Sequence, residues 1–306
     1  MSRQRASAKT ADQRGAAVVM AMLVVAITAI MVTGAFHRQS IMARTLENAM
    51  AASQVDWLMA GAVDWVRVIL KEDARASVTD HLAEPWAVPL AQTRLNDDER
   101  EPAWLSGKIE DGQSRINLRN MVGAQGPVAS EVAVLTRLLA IVGESDRLAD
   151  PIAEIVQLAF APADGEASGA WALPATIDDL EFGDKSIGLA IEKMRPYVTL
   201  LPLPTPVNAN TAPAEVLAAR FQNLSLADAR RLVSSRDRAA FKDVADLTSR
   251  LSDLTLEVDA GKVAVASRFF LLDGSIEFRR ARLRQMALLK REPGRVDIVW
   301  LREVRA

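Results

Sequence analysis

Cysteine is absent from the 306 residues, which excludes disulfides, thiolate metal sites and cysteine nucleophiles. There are only two histidines, His37 and His81. They leave little room for imidazole catalysis or a zinc centre. No H-E-x-x-H, G-x-S-x-G, P-loop or G-x-G-x-x-G string occurs, so the common hydrolase, nucleotide and dinucleotide signatures are missing. An excess of one charge sign is missing too. The 37 basic and 39 acidic side chains give a net charge of -2, which argues against nucleic-acid binding by an overall basic surface. Half the residues are apolar and a quarter charged, so the chain is neither disordered nor collagen-like. Its length suits about two domains and a sizeable core.

Charge is distributed unevenly at the start. Residues 1–15 hold Arg3, Arg5, Lys9 and Arg14 against Asp12. From Ala16 to Phe36 no residue is charged. As a helix this run spans about 31 Å, the thickness of a bilayer's hydrocarbon core. The basic flank keeps the N-terminus in the cytoplasm and sends the rest across. The run is longer than a signal-peptide core and lacks a small-residue cleavage site before a polar start. A plain signal anchor fits this pattern, as does a basic leader followed by Gly and a retained apolar helix. Arg14-Gly15 before Ala16 matches the second.

Beyond the apolar run, Ile41, Leu46, Met50, Val55, Leu58, Met59, Ala62, Trp65, Val66 and Ile69 recur mostly at 3–5 residue steps, with no proline before Pro85. One helix from about Ala16 to about Lys71 is expected, its first half in lipid and its second packed on a globular domain. Trp57 and Trp65, eight residues apart, are expected on one face and in the core against a sheet.

Residues 80–102 read as an irregular polar loop ending in the run Asn96 to Glu101. Asp111-Gly112 and Asp273-Gly274 read as hairpin turns, and Pro293-Gly294 as the centre of a type II turn. Helical stripes run through Val132–Val142 and Ile152–Ala159, with Asp150 as N-cap and Pro151 at the first helical position. Residues 161–186 read as a loop. Thr211 is expected to cap a helix near Pro213, followed by helices over Leu226–Val233 and Phe241–Leu247. Strands close the chain. The expected fold class is α+β: a long N-terminal transmembrane and amphipathic helix on an antiparallel, pilin-like sheet, with a large all-α insertion holding helix-hairpin-helix-like (SAM-like) elements. The expected divisions are 1–15 leader, 16–36 membrane segment, 37–126 helix and first strands, 127–263 helical insertion, and 264–306 C-terminal strands.

Several strings together resemble one family. They are the Arg14-Gly15 junction, with Met20 where most pilin-like chains carry Glu at mature position five, and Trp86-Ala87-Val88-Pro89-Leu90. To these add Asp111-Gly112-Gln113-Ser114-Arg115-Ile116-Asn117-Leu118 and Asn208-Ala209-Asn210-Thr211-Ala212-Pro213. They resemble the type II secretion system minor pseudopilin K family, also called general secretion pathway protein K or GspK. The resemblance implies a non-enzymatic role with no catalytic residues. It implies prepilin peptidase cleavage between Gly15 and Ala16, methylation of the new N-terminus, and a single-pass inner-membrane anchor with the C-terminal domain in the periplasm. Implied partners are minor pseudopilins I and J, other pseudopilins and membrane lipid. The implied position is the pseudopilus tip, where the helical insertion blocks further addition and the subunit helps initiate assembly. No cofactor is expected. Calcium, associated with an acidic stretch in the family, finds no clear ligand motif: Val156-Gln157-Leu158-Ala159-Phe160-Ala161 stands at that place, and Asp178, Asp179, Glu181 and Asp184 lack an EF-hand spacing.

The alternative is a membrane-anchored DNA-binding protein using the helical hairpin at Asn208–Val233. Its connection, Phe221 to Ser225, lacks the Gly that lets backbone N–H groups approach a phosphate. Asp228 and Asp237 are interleaved with Arg230, Arg231, Arg236 and Arg238, which favours a structural hairpin. Arg280, Arg282 and Arg284 read as a solvated or ion-paired strand face.

Overall fold

The computed structural model describes residues 7–160, 174–250 and 261–304, with side chains from Ala16 onward. Helix α1 (Ser7–Ala76) is unbroken and runs through the Gly15–Ala16 junction. It ends five residues later than its hydrophobic pattern predicts. Every residue from Ala16 to Met50 is exposed. From Ala51 the helix lies on a sheet and buries Ala51, Val55, Met59, Val63, Val66 and Leu70, at steps of three and four.

The sheet has five antiparallel strands in the order β1-β2-β7-β8-β9. They are β1 (Leu90–Arg94), β2 (Ala103–Asp111), β7 (Phe269–Phe278), β8 (Ala281–Glu292) and β9 (Arg295–Glu303). Strand alternation puts Phe270, Leu272, Ile276 and Phe278 of β7, with Leu283, Ala287 and Leu289 of β8, against α1. Arg67 of α1 donates from Nε to the Val296 carbonyl of β9 at 2.9 Å, pinning helix to sheet at that end.

Between β2 and β7 the chain leaves the sheet. It forms β3 (Ile116–Asn117), α2 (Ala129–Ile141), α3 (Ala149–Ala159), α4 (Lys185–Met194), β4 (Val198–Thr199), β5 (Val207–Asn208), α5 (Ala214–Arg220), α6 (Leu226–Arg238), α7 (Val244–Ser249) and β6 (Val263–Ala264). Two short parallel ladders, β3 with β4 and β5 with β6, stitch this region together. Its own core includes Leu135, Leu138, Leu139, Ile152, Leu217, Leu232 and Phe241. The fold is thus α+β: a long apolar N-terminal helix, an antiparallel sheet and a large helical region.

Several local expectations are corrected. Trp57 and Trp65 are not core residues: they are 75% and 53% exposed. Trp57 sits two positions from both Val55 and Met59, about 200° around the helix, so it faces away from the sheet. Neither Asp-Gly pair is a hairpin turn. Asp111 ends β2, and the chain departs through a 3-10 turn at Gly112–Ser114. Asp273-Gly274 lies inside β7, opposite Lys108 and Gly107 of β2. Glycine serves packing at position 107, where a Cβ would meet the Asp273 carbonyl at 3.0 Å; a Cβ on Gly274 would lie 3.6 Å from Met59 Sδ, an ordinary contact. The β7–β8 reversal falls instead at Arg279, with φ of 54°. Pro293-Gly294 does form the β8–β9 turn, and Gly294 has the φ of +80° that a type II turn demands.

Residues 80–102 are not a simple solvated loop. Asp80, Glu84 and Trp86 are buried, and β1 forms the sheet edge. The polar pattern there belongs to an edge strand exposed on nearly all positions. Asp150 lies inside α3 rather than capping it, because a 3-10 turn at Asp146–Leu148 leads straight in. The third short helix begins at Val244, capped by Asp243, rather than at Phe241, which is buried in the helical core. Within the 161–186 loop, residues 161–173 lie outside the described residues. Beyond them a turn at Ile177–Asp179 precedes α4.

The two packed glycines predict an order of costs. Gly107→Ala drives a Cβ into backbone and is expected to destabilise by about 1–3 kcal/mol. Gly274→Ala gains ordinary contact with Met59 and is expected to cost less than half as much. Denaturant midpoints of the two variants check the order.

Candidate functional site: an apolar helix and a buried polar junction

Two surfaces carry the functional reading. The first is the exposed N-terminal part of α1. It is the one helix among the described residues long and apolar enough to cross a membrane. Thr28, Thr33 and Thr45 return their hydroxyls to carbonyls one turn back. Each thus satisfies its own polar group inside the helix, as an apolar surrounding requires. Gly15 and Ala16 are consecutive residues of this helix.

The second is a buried junction where the sheet, the end of α1 and the helical region meet. Asp111 lies at its centre, 3% exposed. Its Oδ2 accepts from Asn208 Nδ2 at 2.9 Å, Thr211 Oγ1 at 2.5 Å and Ser267 Oγ at 2.7 Å, and its Oδ1 from the Gln113 amide at 2.7 Å. Asn208 also donates to the Asp80 carbonyl, and Gln113 to the Pro206 carbonyl, while Gln113 Oε1 accepts from the Arg268 amide. Thr211 therefore caps no helix: α5 starts after Pro213 without a side-chain cap, and the hydroxyl is spent on Asp111. Asn117 and Asn120 bind backbone around Leu203 and Thr205, holding the proline-rich connector. Asn210 exchanges two hydrogen bonds with the backbone of Phe241.

Charged side chains surround this centre. Arg291 of β8 donates to Asp80 at 2.5 Å, to Asp73 at 2.9 Å and to the Ser267 carbonyl at 2.8 Å. Glu84 accepts from Trp86 Nε1 at 2.8 Å, and Trp86 packs edge-on to Phe270 with centroids 5.2 Å apart. Burial, then the Glu84 and Asp80 charges, push Asp73 up to about 6, against the pull of Arg291. Burial also raises Asp111, although its hydroxyl and amide donors pull the other way. Asp73, Asp80 and Glu84 bring carboxylate oxygens within 4.8 Å of one another, the geometry a cation would need. The Arg291 guanidinium already serves that role for Asp73 and Asp80.

The acidic residues singled out from sequence do not converge. Asp178 pairs with Arg195, and Asp184 caps α4. Asp179 binds Arg302 of β9 at 2.8 Å and is held down at about 2, chiefly by that hydrogen bond. The arginines near the α5–α6 hairpin are likewise engaged: Arg230 with Glu215, Arg231 with Asp228, and buried Arg236 with the Ala209 and Ala212 carbonyls. Arg282 and Arg284 pair with Glu277 and Asp273 across the β7–β8 ladder. Sequence reasoning missed Asp73, Asp80, Ser267 and Arg291. Their signal was faint, because each is a single polar residue in an unremarkable local string.

The junction predicts an unusual pH response. Asp73 and Asp111 bind protons more readily folded than unfolded, so the folded chain takes up protons as pH falls toward 5. Stability therefore rises between about pH 7 and pH 5. Asp73→Asn is expected to flatten that rise, which thermal melts across this range check. Separately, Asp111→Ala leaves several buried donors unpaired and is expected to cost at least about 3 kcal/mol, against about 1 kcal/mol for Thr211→Val. Denaturant titration measures both.

With fold and junction placed, comparison with known proteins becomes specific. A family described as "Type II secretion system (T2SS), protein K" matches residues 207–266, the stretch that begins one residue before Asn208 and ends one residue before Ser267. Type II secretion system protein K of Pseudomonas aeruginosa PAO1 is 27% identical, over 94% of this chain and 92% of its own length. The Klebsiella pneumoniae protein of the same name is 26% identical, over 95% and 96%. Among solved structures, the GspK-GspI-GspJ complex of enterotoxigenic Escherichia coli matches with a TM-score of 0.65 at 17% identity, covering 85% of this chain and 99% of the matched one. The family match over residues 207–266, the near-full-length relatives and the shared fold agree, and each makes the chain similar to the type II secretion system protein K family.

Proposed function

We propose that this chain is a minor pseudopilin that caps the tip of a periplasmic pseudopilus and helps initiate its assembly, without a cofactor and without catalysis. In this reading a prepilin peptidase removes residues 1–15 between Gly15 and Ala16, and the new N-terminus is methylated. The exposed part of α1 anchors the chain as a single inner-membrane span, N-terminus cytoplasmic and globular part periplasmic. Minor pseudopilins I and J are its partners; the related Escherichia coli protein is found in a complex named for these subunits.

The observation that carries the reading is the pairing of two features on one chain. One is an apolar helix, exposed over all residues from Ala16 to Met50, with Met20 where a carboxylate would stand. The other is a helical region inserted between β2 and β7. A carboxylate in lipid is costly unless paired. In a subunit with none above it, that partner is absent, so Met20 suits a terminal position. The inserted helices supply bulk beyond the sheet that would obstruct a further subunit. Small residues on the exposed helix, Ala16, Ala17, Ala21, Ala26 and Ala29, allow close approach of neighbouring helices.

Intact-mass analysis of the protein from its native membrane tests the processing step. The expected product lacks residues 1–15 and carries one added methyl group, only in cells that hold the peptidase. A Gly15→Leu chain is expected to keep its full mass. An unprocessed wild-type chain in peptidase-positive cells would overturn the reading.

A further inference from the structure

Charge returns to the chain just beyond the apolar run. His37, Arg38 and Arg44 follow Phe36, and Glu47 is the one carboxylate before Ala51. Arg38 and Arg44 are both exposed on α1. Neither forms a hydrogen bond, ion pair or ring contact among the described residues. Exposed arginines on the globular part behave differently: Arg75 pairs with Glu72, and Arg195 with Glu192 and Asp178. Glu47 stands opposite Arg38 on the helix and just under one turn beyond Arg44, and pairs with neither.

The helix fixes where the two cations stand. It is unbroken from Ser7 to Ala76, so height follows from residue count. Arg38 lies about 3 Å and Arg44 about 12 Å beyond Phe36. A headgroup layer adds about 5–8 Å to each side of the hydrocarbon core. Side chains of an α-helix lean toward its N-terminus, and here the N-terminal end is the membrane end. Both guanidinium groups are therefore carried back toward the headgroups, as long cationic side chains are when they snorkel. They lie about 120° apart around the helix, so they reach different lipids. The guanidinium fork keeps its charge and matches a phosphate with two parallel hydrogen bonds. An anionic surface attracts each such cation further.

We propose that Arg38 and Arg44 form a collar that binds the phosphates of anionic phospholipids, in the leaflet on the C-terminal side of the span. This collar rests on the membrane-span reading and goes beyond it. Once residues 1–15 are removed, no Lys or Arg remains before Arg38. The collar is then the side-chain charge that sets how deep the processed helix sits.

Mass spectrometry of the full chain, lifted from detergent micelles doped with equal phosphatidylglycerol and phosphatidylcholine, counts the lipids that stay bound. The chain carries Arg3→Gln, Arg5→Gln, Lys9→Gln and Arg14→Gln throughout, so the leader adds no cation. Phosphatidylglycerol is expected to be preferred, and Arg38→Gln and Arg44→Gln each to cut that preference about fivefold. The pair Arg38→Lys and Arg44→Lys keeps the charge and is expected to keep most of the preference. Both positions are exposed and outside the core, so every variant folds like the parent chain. Equal retention of the two lipids, or a preference unchanged by the double Gln variant, would overturn the collar and leave the span standing. A chain that parts from vesicles of either lipid on flotation would overturn the membrane-span reading, and the collar with it.

Discussion

The buried carboxylate of Asp111 is the contact on which the rest of the structure depends. It closes β2, turns the chain out of the sheet, and receives donors from three separate stretches of sequence. A buried carboxylate without such donors would be strongly unfavourable. Asn208 also donates to the Asp80 carbonyl and to Ser267 Oγ, which ties the donors to one another as well as to Asp111. Each of Asn208, Thr211 and Ser267 is therefore held at one position relative to β2. The helical region can leave the sheet after β2 and return before β7 because the exit and the return are bonded to the same side chain.

This arrangement explains why two strings stand out in the sequence. Asp111-Gly112-Gln113-Ser114-Arg115-Ile116-Asn117-Leu118 and Asn208-Ala209-Asn210-Thr211-Ala212-Pro213 are the two halves of one hydrogen-bond network. Their polar residues face inward, where substitution leaves unpaired groups. A functional surface needs a firm base, and here the network joins α1, which suits a membrane anchor, to the helical bulk beyond the sheet. Arg291 extends the same logic to the end of α1 through Asp73 and Asp80.

Much of the architecture was legible in the sequence. The uncharged run at Ala16–Phe36, the helical spacing beyond it and the alternating pattern of β8 rest on periodicity, and periodicity survives folding. The misreadings share a cause. Asp-Gly reads as a hairpin turn at 111 and 273, but tertiary structure decides both: Asp111 is claimed by buried donors, and Asp273-Gly274 is paired inside β7 with Lys108 and Gly107 of β2. The spacing of eight puts Trp57 and Trp65 on one face, but the phase set by Val55, Met59 and Val63 turns that face away from the sheet. The junction itself was half visible. Its motifs could be read, but the partners at Asp80, Ser267 and Arg291 come from distant sequence and bear no local mark.

The central claim is that sheet and helical region form one cooperative unit through Asp111. Native-state hydrogen exchange on the full chain in micelles, with wild type and Asp111→Asn compared strand by strand, tests it most directly. The account predicts that amides of β7 and of α2 lose protection together, by similar factors. Loss confined to the helical region, with β7 as protected as in the wild type, would contradict it.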